Sequence, residues 1–175
     1  LKRMAPGMDA RALLAELPDE TTAVVLSPDA TRGDGLPIVA GINLGDAAPG
    51  RVLVSPHPGT VALAHLLFPL RGLGLEQAVA SLVQPVSMWE LDALDQLLEQ
   101  TKKLVAFSAP APGVFGHQLA FNLLPTRASA AHLSAQLAAL LGEEIDVAAH
   151  IVQGGVFHGF SLSVYVRFSA DPGVV

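Results

Sequence analysis

From Val61 to Phe68 the chain places Val61, Leu63, Ala64, Leu66, Leu67 and Phe68 on nearly every side of two helical turns. A helix with so little wet surface must be enclosed on most sides by other layers. That requirement constrains the fold more than any other feature. A chain of 175 residues can supply the layers as one domain, or as a domain plus part of another. The hydrophobic fraction of 51% comes mainly from Ala, Leu and Val, and mean hydropathy is +0.47. This composition suits a buried sheet flanked by helices, or a large apolar partner surface. No apolar run approaches the roughly 20 residues needed to cross a bilayer, so no membrane partner is expected. Leu1, Lys2 and Arg3 lead into Pro6, Gly7 and Asp9, which is not a secretory signal. A first residue of leucine is expected of a fragment or trimmed form.

Around that helix the pattern predicts alternating elements. Asp9 to Leu17 reads as a short helix stopped by Pro18. Ala23 to Leu26, Pro37 to Ile42 and Arg51 to Val54 read as short strands, separated by turn-rich loops that include Ser27 to Gly35 and Gly45 to Gly50. The apolar helix is predicted over Thr60 to Leu70, with Gly59 or Thr60 in the capping role. A strand over Leu75 to Val86 follows, then a helix over Met88 to Leu104 with Leu91, Leu94, Leu97 and Leu98 inward. Gln118 to Leu124 reads as a strand and Ser129 to Leu141 as a helix with Gly142 past its end. Asp146 to Val152 and Ser161 to Phe168 close the order. The last alternates Leu162, Val164, Val166 and Phe168 with polar partners, the mark of a strand with one buried face. The expected class is α+β: a mixed sheet with helices on one face, preceded by remnants of a Rossmann-type α/β unit.

Chemistry is sparse. A net charge of −6 with only 10 scattered basic residues argues against nucleic acid. The absence of cysteine removes disulfides and thiolate metal sites, and fits a cytoplasmic location. No Gly-x-Gly-x-x-Gly or Walker loop offers a phosphate cradle, and Gly33-Asp34-Gly35 reads as an acidic turn. His57, His65, His117, His132, His150 and His158 lack metal-ligand spacing, so no metal is expected; only His150 and His158 could approach across strands. Ser55, Ser87 and Ser161 sit at strand ends without a nucleophile elbow, where serines most often bond to backbone. Two stretches stand apart. The corner Val54-Ser55-Pro56-His57-Pro58-Gly59-Thr60 delivers a kinked loop to a helix N-terminus, where the dipole favours anions or a thiolate. In Gln118 to Pro125, Gln118 and Asn122 interrupt an apolar strand, as buried amides that tie neighbouring loops do.

In order, these segments resemble the catalytic and dimerisation domain of the aspartate-semialdehyde dehydrogenase family. The family corner Asn-Pro-Asn-Cys-Ser/Thr-Thr, ahead of a buried helix ending Pro-Leu, is matched by Ser55-Pro56-His57-Pro58-Gly59-Thr60 and Phe68-Pro69-Leu70. Pro-Leu-Val-Val-Pro-Glu-Val-Asn is echoed by Pro37 to Asn43, and Gln-Ala-Val-Ser-Gly by Gln84-Pro85-Val86-Ser87-Met88. Gln-Ile-Ala-Phe-Asn-Leu-Ile-Pro is nearly verbatim in Gln118 to Pro125. Arg-Val-Pro-Val-Phe-x-Gly-His-Ser corresponds to Gln153-Gly154-Gly155-Val156-Phe157-His158-Gly159-Phe160-Ser161. The resemblance runs from about Ala23 to Phe168 without reordering.

The resemblance implies an NADP-dependent oxidoreductase of amino-acid biosynthesis, a homodimer through this sheet, and particular site residues. The nucleophilic cysteine falls on Pro58 and the general-base histidine on Phe160. The arginine that holds the substrate carboxylate falls on Gln153, which keeps hydrogen bonding and loses the bidentate charge. The Glu-x-x-Lys element has no counterpart among Arg127 to Leu141. Gln84 persists as a substrate-binding residue, and Arg32 aligns with an arginine directed at phosphate. The glycine-rich NADP segment would precede Leu1, so no cofactor is expected in this chain. Residues 1–54 are then a remnant of the nucleotide-binding domain, and 55–175 the dimerisation and catalytic-like domain. The expected function is a catalytically silent homologue acting through association. The alternatives are the C-terminal part of a longer NAD(P)-dependent oxidoreductase, and a sensor of phosphate or dicarboxylate around Arg32 and Gln84.

Overall fold

The computed structural model describes residues 18, 21–26, 35–47, 52–89, 91–126 and 130–173. The expected helix at Asp9 to Leu17, most of the loop Ser27 to Gly35, and Arg32 with it lie outside them. The arrangement is α+β, with two sheets among the described residues. The smaller contains β1 (Ala23–Val25), β2 (Leu36–Pro37) and β3 (Val52–Val54) in the order β1-β3-β2, and both pairings are parallel. This is the all-parallel pairing of an α/β unit. The larger, mixed sheet has the order β5-β6-β4-β7, from β4 (Leu75–Gln84), β5 (Leu123–Pro125), β6 (Asp146–Gly154) and β7 (Ser161–Phe168). β5 pairs antiparallel with β6, with Leu124 opposite Gln153.

Among the described residues, three α-helices accompany the sheets: α1 (Pro58–Leu67), α2 (Leu91–Val105) and α3 (Ala130–Leu141). The chain divides into two compact units. The first takes residues up to 78, 131–147 and 166 onward, and contains the parallel sheet, α1 and α3. Its core includes Val54, Leu63, Ala64, Leu67, Leu133, Leu137 and Leu141. In α1 the predicted enclosure is real on one side: Leu63, Ala64 and Leu67 are fully buried, whereas His65 and Leu66 are exposed. The second unit takes 79–130 and 148–165. Val86, Ala93, Leu97, Phe115, Leu119 and Ala120 form its buried cluster, with Trp89, Leu94, Leu104 and Leu124 packed against it. Burying a leucine such as Leu97 contributes about 2 kcal/mol by transfer alone.

Four sequence expectations are corrected. The strand expected over Pro37 to Ile42 ends at Pro37, because Asn43 folds the backbone back on itself. Its Oδ1 accepts from Val39 N (2.9 Å) and its Nδ2 donates to Pro37 O (2.9 Å). The strand expected over Gln118 to Leu124 is confined to Leu123–Pro125. Phe121 takes a left-handed conformation (φ 62°) that breaks extension, and Asn122 Nδ2 donates to Gln118 O (3.1 Å). α1 begins two residues early, on Pro58, whose fixed φ suits a first helical position. On α2, Ala93, Leu97 and Gln100 face inward, while Leu98 is 42% exposed. The helix over Ala130–Leu141, β4 and β7 match their predicted periods closely.

Candidate functional site

The corner from β3 into α1 lies wholly in the first unit. Its cap is neither Gly59 nor Thr60, both of which are buried within the helix, but His57. The imidazole Nδ1 of His57 accepts from Gly59 N (3.0 Å), and the His57 carbonyl accepts from Val61 N (3.0 Å). Pro58 brings no N–H. The helix end that could have held an anion is therefore occupied by the protein's own imidazole. Behind it, Gln136 of α3 presents one amide oxygen to two donors: His57 N (3.1 Å) and Thr60 Oγ1 (2.7 Å). His57, Thr60 and Gln136 are all buried. Pro58 itself is exposed at the head of α1.

The second constellation lies wholly in the second unit. Gln84 ends β4 and Gln153 lies near the end of β6, and the two side chains meet: Gln84 Nε2 donates to Gln153 Oε1 (2.8 Å). That oxygen also accepts from Trp89 Nε1 (2.7 Å). Gln153 Nε2 donates to Gln84 O (3.1 Å) and Gly154 O (3.0 Å), so every donor and acceptor of this amide is used. Gln84 Nε2 also donates to Thr126 Oγ1 (3.0 Å), while Gln84 Oε1 is buried without a partner. Two glycines let the neighbouring backbone close in. A Cβ on Gly154 would meet Val83 Cγ1 at 2.5 Å, and one on Gly155 would meet the Leu119 carbonyl oxygen at 2.6 Å. Phe160 stands half-buried in the connection from β6 to β7.

Thus the two expected substrate residues, Gln84 and Gln153, are brought together, and they bind each other. The expected loop-tying role of Gln118 and Asn122 is corrected. Gln118 Nε2 reaches only Ala120 O (3.0 Å), the Asn122 side chain bonds within the same segment, and Asn122 is exposed. The amide that ties the loop is Gln100, which no motif singled out. Its Nε2 donates to Ala111 O (2.9 Å), and its Oε1 accepts from Leu119 N (2.8 Å) and Ala120 N (3.1 Å). The one available signal was a polar residue on the inward stripe of α2, three positions after Leu97. Among the described residues, no three His, Asp or Glu side chains converge as metal ligands, and no helix is long and apolar enough to cross a membrane. The parallel strands β1–β3 carry no glycine-rich phosphate turn among the described residues, and His57 holds the first N–H of α1. Among the described residues, none forms a cradle for a dinucleotide phosphate.

No family model matches the chain. It is similar to aspartate-semialdehyde dehydrogenase of Rickettsia bellii, at 29% identity over 137 residues, covering 73% of this chain and 40% of that protein. The structure of a probable aspartate-semialdehyde dehydrogenase from Pseudomonas aeruginosa superimposes with a TM-score of 0.73 at 26% identity, covering 86% of this chain and 49% of that one. Its homologues are aspartate-semialdehyde dehydrogenases. Aspartate semialdehyde dehydrogenase II from Vibrio cholerae shares the fold, with a TM-score of 0.66 at 21% identity, over 79% of this chain and 45% of that one. The chain spans less than half the length of these aspartate-semialdehyde dehydrogenases, and the α+β arrangement described above is theirs over that span.

Proposed function

We propose that this chain is a catalytically silent homologue of aspartate-semialdehyde dehydrogenase that works through protein association, with its larger sheet as a homodimer interface. One observation carries the reading: Pro58 occupies the head of α1, where the family resemblance puts the nucleophile, and His57 closes the helix end around it. Proline has neither thiol nor hydroxyl, so it forms no hemithioacetal with an aldehyde. Phe160, at the position matched to the base, neither accepts nor delivers a proton. Gln153, matched to the carboxylate-binding arginine, is neutral and fully engaged within the protein.

Association is supported by the second unit's share of the sheet. The exposed residues that alternate with its buried or half-buried ones are Val79, Ser81, Ala148, His150, Ser161, Ser163 and Tyr165. None of these is an Asp, Glu, Lys or Arg, and a flat partner face confined to them strands no charge; the exposed Glu76, Asp146 and Arg167 of the same strands lie outside that share and stay in water. A cytoplasmic setting and a division between residues 1–54 and 55–175 belong to the same proposal. Light scattering on the size-exclusion peak tests it: a dimer is expected, and Tyr165→Glu should convert it to monomer. A strict monomer at high protein concentration overturns the association. Turnover of aspartate semialdehyde with NADP by the full gene product overturns the silence.

The partial span favours a second reading, in which the chain is the C-terminal part of a longer NAD(P)-dependent oxidoreductase. A thermal shift of the full gene product with NADP or NAD supports that reading, and no shift removes it.

A further inference from the structure

Beside Gln153, the second unit holds a cavity of about 210 Å³ lined by Trp89, Phe115, His117, Leu124, Pro125 and Gln153. We propose that it binds a small uncharged aromatic or heteroaromatic ring carrying one hydrogen-bonding substituent. This goes beyond the proposed association and does not depend on it.

The shape of the walls comes first. Trp89 and Phe115 stand edge to face, with ring centroids 5.3 Å apart and planes at 74°. Two rings set this way form a corner in which a third can stack on one face and meet the other edge-on. Leu124 and Pro125 add apolar walls. A dry apolar cavity of about 150 Å³ accommodates benzene, so the volume here admits a substituted ring.

The electrostatics then select against ions. Among the described residues, no Asp, Glu, Lys or Arg lines the cavity. The Gln153 amide already makes its four hydrogen bonds and has none left to give. A carboxylate or phosphate entering would lose hydration without gaining a charged partner. The remaining polar group is the His117 imidazole, exposed and without a hydrogen bond to any described residue, which suits one polar substituent.

The walls are also held in place. Trp89 N–H closes a tight turn onto Val86 O (2.9 Å), and that turn is pinned by Val86 N to Val156 O (2.8 Å) and Ser87 N to Phe157 O (3.0 Å). With its indole N–H fixed on Gln153, the tryptophan gives up little freedom when a ligand arrives.

Trp89 is the only tryptophan in the chain, so its fluorescence reads the cavity directly. The experiment titrates the protein with benzamide, succinate and inorganic phosphate, exciting at the red edge of tryptophan absorption. A saturable change with benzamide alone is expected. Leu124→Phe, which narrows the cavity, should weaken benzamide binding about tenfold or more, and His117→Ala should weaken it several-fold. Thermal unfolding verifies that each variant is folded. If Leu124→Phe is not, the Trp89 indole N–H resonance of the wild type replaces it as readout, and a saturable shift with benzamide is expected. No saturation by benzamide in either readout, unchanged binding in a folded Leu124→Phe, or saturation by succinate or phosphate overturns the proposal.

Discussion

At the corner ahead of α1, one amide oxygen, that of Gln136, gathers a backbone N–H and a threonine hydroxyl, and an imidazole caps the helix beside it. In the second unit, Gln153 uses both ends of its amide on four partners, and its neighbour Gln84 is left with an unpartnered buried oxygen. Both regions bury neutral amides where the family resemblance implies charged or nucleophilic chemistry. They differ in what the amide holds: the first fixes the start of a helix, and the second ties two strand ends and an indole into one cluster. A buried amide is tolerated when its groups are matched, and each unmatched group costs about 1–3 kcal/mol. Among the described residues of the two regions, the unmatched group lies in the second.

This difference can be broken by mutation. Gln153→Ala should have the largest effect, about 4 kcal/mol, because it strands Trp89 Nε1, removes one of the two acceptors of Gln84 Nε2 and takes a donor from each of two carbonyls. Urea unfolding monitored by Trp89 emission measures it. Gln136→Ala removes the acceptor for His57 N and Thr60 Oγ1 and should cost about 2 kcal/mol, read from the same transition by circular dichroism. If the two losses come out equal, the contrast between the regions fails. Gln84→Met removes two hydrogen bonds but also the orphaned oxygen, so the net loss should be about 1 kcal/mol by thermal unfolding.

The smallest effect is expected on the exposed face of α2. There the hydrogen bond from Lys102 Nζ (2.7 Å) and its charge hold the Glu99 carboxyl below its ordinary value. The charged carboxylate is thus favoured by folding. Its contribution is present above the ordinary carboxylate range and fades as pH falls through the lowered value. Solvent screens so exposed a pair, so Glu99→Gln should leave the pH dependence of the unfolding midpoint, from neutral to acid, unchanged within measurement error.

Much of the fold was legible in the chain. Periodicity located α3, β4 and β7 almost to the residue, because each turns one face inward, buried in α3 and β4 and half-buried in β7. Local hydrogen bonding hid the rest. Asn43 and Phe121 end extended stretches whose composition favours strand, one through an Asx-type capture of backbone and the other through a left-handed φ. The corner of Ser55 to Thr60 is recognisable as a strand-to-helix turn, but its cap is not, since histidine is not among the preferred capping residues. Gln100 and Gln136 attracted no notice as polar residues inside helical patterns. Their importance comes from partners 19 and 79 positions away.

By itself, the sequence determined the layers: a helix too apolar for a surface, short β-branched strands, an alternating final strand and no thiol anywhere. Through the family resemblance of its segments, it also named Gln84 and Gln153 as substrate-binding candidates. Only the tertiary structure decided that this pair is satisfied from within. β4 and β6 carry the two amides to hydrogen-bonding distance, and Gly154 and Gly155 allow the backbone to close around them. The reason is physical: periodicity records which face of an element is buried, whereas the partner of a buried polar group is set by contacts between residues far apart in the chain.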